Sequence, residues 1–167
     1  LYYWTHTSPA SGGIYPTNNY ASYTLLGGTA SAAGGSIPNN KIQVGQGFFV
    51  NSAGAYTATF QNEMREDAIT TTQFFRESDD SSVNQKSEKN RVWLNLNNGE
   101  TPVNQILVGY MQGASENVDD KIDGETLVTS NTMLYNLINN KEYVIQGKGL
   151  PFSDDDIVKL GLKVIEA

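Results

Sequence analysis

Apolar and polar residues alternate with a period of two along most of this 167-residue chain. Ile42, Val44, Phe48 and Val50 share one parity, Tyr56, Ala58 and Phe60 form a second set, and Val92, Leu94 and Leu96 a third. Successive side chains of a strand point to opposite faces, so these segments predict half-buried strands. Gln105–Gln112, Tyr143–Gln146 and Ile157–Ile165 read the same way, and Leu1–Thr7 and Tyr20–Leu26 complete the set. Between them stand Gly27-Gly28, Gly34-Gly35-Ser36-Ile37-Pro38, Asn97-Asn98-Gly99 and Asn139-Asn140, residue types that turns select. Short strands at this spacing predict an all-β fold, an antiparallel, jelly-roll-like β-sandwich, formed by one domain over residues 1–167. Its expected core is Trp93, Phe48, Phe49, Phe60, Leu94, Leu96, Val108 and Phe152.

Three stretches complicate that pattern. Glu66–Phe75 and Asn131–Ile138 carry helical spacing, but Thr70, Thr71 and Thr72 are β-branched and the second stretch is short. Residues 77–90 are polar and mixed in charge, which predicts a long loop. Leu1-Tyr2-Tyr3-Trp4 starts, and Val164-Ile165-Glu166-Ala167 stops, in the middle of what reads as a strand. The expectation is a fragment of a longer polypeptide with open sheet edges, against which neighbouring domains dock.

Composition narrows the functional classes. Eighteen acidic and eleven basic residues give a formal charge of −7 with no basic cluster, so a phosphate backbone is repelled and nucleic acid is not an expected partner. No apolar run is long enough to span a bilayer, and with no cysteine there is neither a disulfide nor a thiolate site. His6 is the only histidine, so every hydrolytic triad or multi-histidine metal site would have to use it, and no Walker, Rossmann, zincin or nucleophile-elbow spacing is present. Gly45-Gln46-Gly47 runs into Phe48-Phe49-Val50, a strand rather than the helix start a phosphate cradle needs. A glycosidase needs two carboxylates across a cleft, and Glu63, Glu66 and Asp67 qualify no less than the aspartates. The chain is therefore read as non-catalytic.

Two groups remain as candidate ligand sites. Asp119, Asp120, Asp123 and Glu125 cluster around Gly124 and offer the hard oxygens that calcium prefers, with Asp119, Asp123 and Glu125 the candidate ligands. Their spacing is not that of an EF-hand, and an Asx-type turn is the alternative reading. Asp154, Asp155 and Asp156 form a weaker second group. No cofactor is required. The aromatics near the start, Tyr2, Trp4, Tyr20 and Tyr23, could stack on sugar faces beside Asn and Gln donors. The simpler alternative has alternate rings filling the core.

The chain also carries an ordered series of phrases: Tyr2-Tyr3-Trp4-Thr5-His6, Ile42-Gln43-Val44-Gly45-Gln46-Gly47-Phe48-Phe49-Val50, Asn62-Glu63-Met64-Arg65, Phe74-Phe75-Arg76, Arg91-Val92-Trp93-Leu94-Asn95-Leu96, Leu107-Val108-Gly109-Tyr110 and Ile145-Gln146-Gly147-Lys148-Gly149-Leu150-Pro151-Phe152. In that order they resemble a β-rich module of Bacteroidota proteins that precedes the C-terminal sorting domain of type IX secretion system cargo. The resemblance implies an extracellular or outer-surface location, export of the parent protein by that machinery, and a role in adhesion, attachment or presentation. It departs from the family at Glu116-Asn117-Val118, where relatives carry Asn-Gly before the first aspartate, and this alters the turn. A carbohydrate-binding module and a structural subunit associating through open sheet edges are the alternatives.

Overall fold

The computed structural model describes residues 1–15, 18–65, 90–99, 101–128 and 130–164. Among these residues there are ten strands and one 3-10 turn, Asn62–Met64. Strands β1 (Tyr2–Trp4), β2 (Tyr20–Tyr23), β3 (Gly28–Thr29) and β4 (Phe48–Phe49) form one sheet in the order β3-β2-β1-β4, with every pairing antiparallel. The second sheet runs β10-β8-β9-β6-β5, built from β5 (Asn90–Asn98), β6 (Thr101–Tyr110), β8 (Thr132–Ile138), β9 (Lys141–Lys148) and β10 (Leu160–Val164). The short β7 (Gly124–Glu125) adds to β9.

The all-β expectation holds, and the antiparallel one holds for the first sheet alone. In the second sheet β6 and β9 pair in parallel, from Leu107↔Ile145 to Tyr110↔Lys148, and this mixed sheet curls into a half-barrel. The parallel pair brings two glycines into one register, Gly109 against Gly147. Each leaves room for an apolar side chain: a Cβ on Gly109 would lie 2.9 Å from Leu26, and one on Gly147 would collide with Ile122. Leu26, Leu107, Ile122 and Ile145 close over this spot as the buried cluster, with Trp93 packed against it. Trp93 Nε1 also donates to the Gly28 carbonyl at 3.0 Å, fixing β5 to the first sheet.

Several expectations are corrected. Ile42–Val50 is not one strand: Gly45 has φ +81°, and Gln46 N–H donates to the Gln43 carbonyl at 3.0 Å. That turn breaks the alternation and leaves Val44 98% exposed. Tyr56–Phe60 forms no strand, and Phe60, Phe49 and Phe152 are exposed rather than core. Asn131–Ile138 contains β8, not a helix. Asn139 and Asn140 have φ +48° and +63° and close a two-residue hairpin that pairs Ile138 with Lys141, so the chain before it is drawn out as a strand. Glu66–Phe75 and the loop expected at 77–90 lie outside the described residues up to position 89; Asn90 opens β5.

Candidate functional site

Opposite residues in an antiparallel pair share a face, so the registers sort the N-terminal aromatics. Tyr2, Trp4, Tyr20, Ser22 and Phe49 lie on one face of the first sheet, and Tyr3, Ala21, Tyr23 and Phe48 on the other. The first face turns toward the second sheet: the Tyr2 hydroxyl donates to the Glu125 carbonyl of β7 at 2.6 Å. The opposite face is covered by the segment around Pro38 and Asn39, where Tyr3 OH donates to the Asn39 carbonyl at 3.3 Å. The four expected ligand-binding residues therefore do not form one exposed row. Tyr2 is buried and Tyr23 is on the other face, whereas Trp4 and Tyr20 stay together, edge to face at 5.1 Å. Tyr15 and Phe49 extend that pair, at 5.6 Å from Trp4 and 5.7 Å from Tyr20. His6 leaves the strand alternation at φ +52° and rests edge-on against Tyr15.

Tyr20 forms part of the wall of a cleft of about 380 Å³ between the two sheets, within the range of small-ligand sites. Its polar walls also include Asn18, Asn104, Gln105, Thr126 and Asn131, beside the hydroxyls of Ser22, Thr29 and Ser130. Two of these brace the cleft. Asn104 bonds both the amide and the carbonyl of Leu134, at 2.9 and 2.7 Å, and so acts as a strand neighbour for β8. Gln105 Oε1 accepts from Ala30 N–H at 3.2 Å, while its Nε2 donates to Asn95, so one side chain ties the two sheets. Two others are unsatisfied: Asn18 Oδ1 and Thr126 Oγ1 are shielded from solvent and have no hydrogen-bond partner among the described residues. An unsatisfied buried polar group costs about 1–3 kcal/mol. Charged residues are 17% of the chain, yet no Asp, Glu, Lys, Arg or His is among the described lining residues.

A second cleft, of about 300 Å³, adjoins the first, and Thr126 and Leu127 line both. Phe49, which is 57% exposed, stands in its wall beside Tyr2 and Asn51. Glu125 also lines it, and its carboxylate lies 3.7 Å from Lys141 in an exposed ion pair, which contributes little to stability.

The expected calcium ligands are placed differently. Asp119 and Asp123 come together, and their carboxylates are occupied by the chain's own donors. Asp123 Oδ1 accepts from Gly147 N–H at 2.7 Å, and its Oδ2 from Asp119 N–H at 2.8 Å. Asp119 Oδ2 accepts from Ser115 N–H at 2.6 Å, and the Ser115 hydroxyl lies against both of its oxygens. Asp123 therefore fastens the 115–123 loop onto β9, taking a β9 amide beyond the two residues that β7 pairs. The loop then holds the first sheet, since Lys121 and Ile122 carbonyls accept from Leu25 N–H and Thr24 Oγ1. Burial pushes the Asp123 carboxyl up to about 6, against the pull of the two amides, and the Asp119 charge adds to the rise. Glu125 points away, toward Lys141, and no set of three His, Cys, Asp or Glu suited to a metal occurs among the described residues. In the second acidic group, Asp156 closes a turn by accepting from Ser153 N–H at 3.2 Å.

A family model matches residues 1–167. The chain belongs to that family, Domain of unknown function (DUF8693). No curated protein and no solved structure matches it. In this DUF8693 chain the cleft residues Asn18, Asn104, Gln105, Thr126 and Asn131 are the ones that the sequence pattern did not single out. Their one legible trace is in β6, where Asn104 and Gln105 precede the apolar run Ile106-Leu107-Val108.

Proposed function

We propose that this chain is a non-catalytic binding module of a secreted or cell-surface bacterial protein, exported by the type IX secretion system and acting in adhesion or attachment. The observation that carries the binding role is the cleft between the sheets, with Tyr20 and the Asn131 amide in its lining and no ionic side chain among its described lining residues. The ordered phrases along the chain support the extracellular assignment. In this reading the two sheets are the layers of a jelly-roll-like sandwich, and the cleft is where the layers part. Antibody against the purified chain should label intact cells of the source organism, and beads coated with the chain should adhere to extracellular surfaces. Labelling only of permeabilised cells would overturn the location, and beads that never adhere would overturn the role.

A structural subunit associating through sheet edges is the second reading. It is favoured by the edge strand β10, where Leu160, Leu162 and Val164 are 44%, 58% and 61% exposed. Sedimentation of the purified chain over a range of concentrations decides it, since self-association through this edge makes the apparent mass rise with concentration.

A further inference from the structure

We infer that the ligand of the two adjoining clefts is an uncharged oligosaccharide of more than one unit, one sugar ring stacking on Tyr20 and another on Phe49; this rests on the proposed binding role. Charge is the first constraint. The larger cleft has no ionic side chain in its described lining, so an ionised ligand group would be desolvated there without a counter-charge. The second constraint is the mixture of surfaces. A pyranose presents an apolar C–H face to a ring and a rim of hydroxyls to amides and hydroxyl groups. Tyr20 supplies the ring, and Asn131, which stands exposed in the lining, supplies an amide that can both donate and accept.

Length is the third constraint. The two clefts meet at Thr126 and Leu127, each has one aromatic wall, and the Tyr20 and Phe49 rings are 5.7 Å apart. A single sugar stacked on one ring leaves the other ring bare. Strand addition by an extended peptide would need free backbone donors at the cleft wall, and two of those there, Ala30 and Thr126 N–H, are taken by Gln105 and by the Glu142 carbonyl.

The test is calorimetric titration of the purified chain with neutral hexaoses of glucose, mannose, galactose or N-acetylglucosamine, with the matching monosaccharides, and with oligogalacturonate. At least one neutral hexaose should bind, and its monosaccharide should bind about tenfold or more weakly, as expected when a second aromatic anchor is lost. Because Phe49 is more than half exposed, Phe49→Ala should lower the melting temperature only slightly and weaken the hexaose about tenfold, and Tyr20→Phe should retain binding. Failure of every neutral hexaose, a preference for oligogalacturonate, equal affinity for monosaccharide and hexaose, or unaltered affinity of Phe49→Ala would each overturn the inference. If beads coated with the chain still adhere to peptide-bearing surfaces while every hexaose fails, the binding role survives and the saccharide assignment falls.

Discussion

The loop that holds Asp119 and Asp123 and the cleft that holds Asn18 and Thr126 are both polar, and they do opposite things with their polarity. In the loop, each carboxylate oxygen of Asp123 accepts from a backbone amide of this chain, at 2.7 and 2.8 Å. In the cleft, two buried polar atoms have no hydrogen-bond partner among the described residues, and the Asn131 amide is exposed. A carboxylate whose two oxygens both accept from the chain's own amides is part of the scaffold, whereas a neutral amide exposed in a cleft wall, as Asn131 is, is open to a ligand. Charge alone therefore does not separate the scaffold loop from the candidate cleft in this chain, and what each polar group bonds to does.

The largest effect separating the two regions should come from Asp123→Ala. It strips the acceptors from two amides and should destabilise the chain by about 2–5 kcal/mol, read as a lower urea midpoint. A midpoint close to that of the parent would mean the loop is not part of the scaffold. Gly147→Ala tests the same junction from the β9 side: its methyl group would collide with Ile122 and should cost about 1–3 kcal/mol by overpacking. The Asp123 titration sharpens the comparison further. With its folded carboxyl pushed up to about 6 from an ordinary value of 3.8, the folded chain keeps a proton between those pH values that the unfolded chain has released. Stability from this group therefore falls as pH rises through that window and is flat above it. The fall should vanish from the urea profile of Asp123→Asn, and a profile in which both proteins change alike would remove Asp123 as its source. Smallest of all should be Thr126→Val, which deletes an unpartnered buried hydroxyl: its melting temperature should stay level or rise, and a clear drop would mean that Thr126 is bonded within the fold.

Much of the fold could be read from the sequence where a strand has a single cause. β1, β2, β5, β6, β9 and β10 fall within or across the alternating segments because period two admits few other structures. The misreadings are local. Ile42–Val50 alternates, but Gly45 in a left-handed conformation turns the chain there. β8 imitates helical spacing at Leu134, Leu137 and Ile138, and only the Asn139-Asn140 hairpin, itself visible as a turn, forces it to pair with β9. The core was misplaced in part: Val108 is buried and Trp93 packs on the buried cluster as expected, but large aromatics do not report their own face, so Phe49 and Phe60 are exposed, while Leu26, Ile122 and Ile145 meet over a glycine pair set by a parallel register that no local pattern encodes.

The site was less legible than the fold for the same reason. Tyr20 could be picked out as an aromatic, but its neighbours in the cleft come from Asn18, β6 and residues 126–131, which are joined only by the stacking of one sheet on the other. Asp119 and Asp123 were conspicuous in sequence, and the four-residue step between them suits an internal turn, with Asp123 N–H donating to the Asp119 carbonyl at 2.9 Å.

The most direct test of the division between scaffold loop and ligand cleft is a series of amide NMR spectra of the purified chain, titrated with calcium chloride and with the neutral hexaoses. A hexaose should move the amides of Ser22, Ala30, Gln105 and Thr126, while those of Ser115, Asp119 and Gly147 stay in place under both additions. Movement of the Ser115, Asp119 and Gly147 amides with calcium, and of none in the cleft with any hexaose, would contradict it.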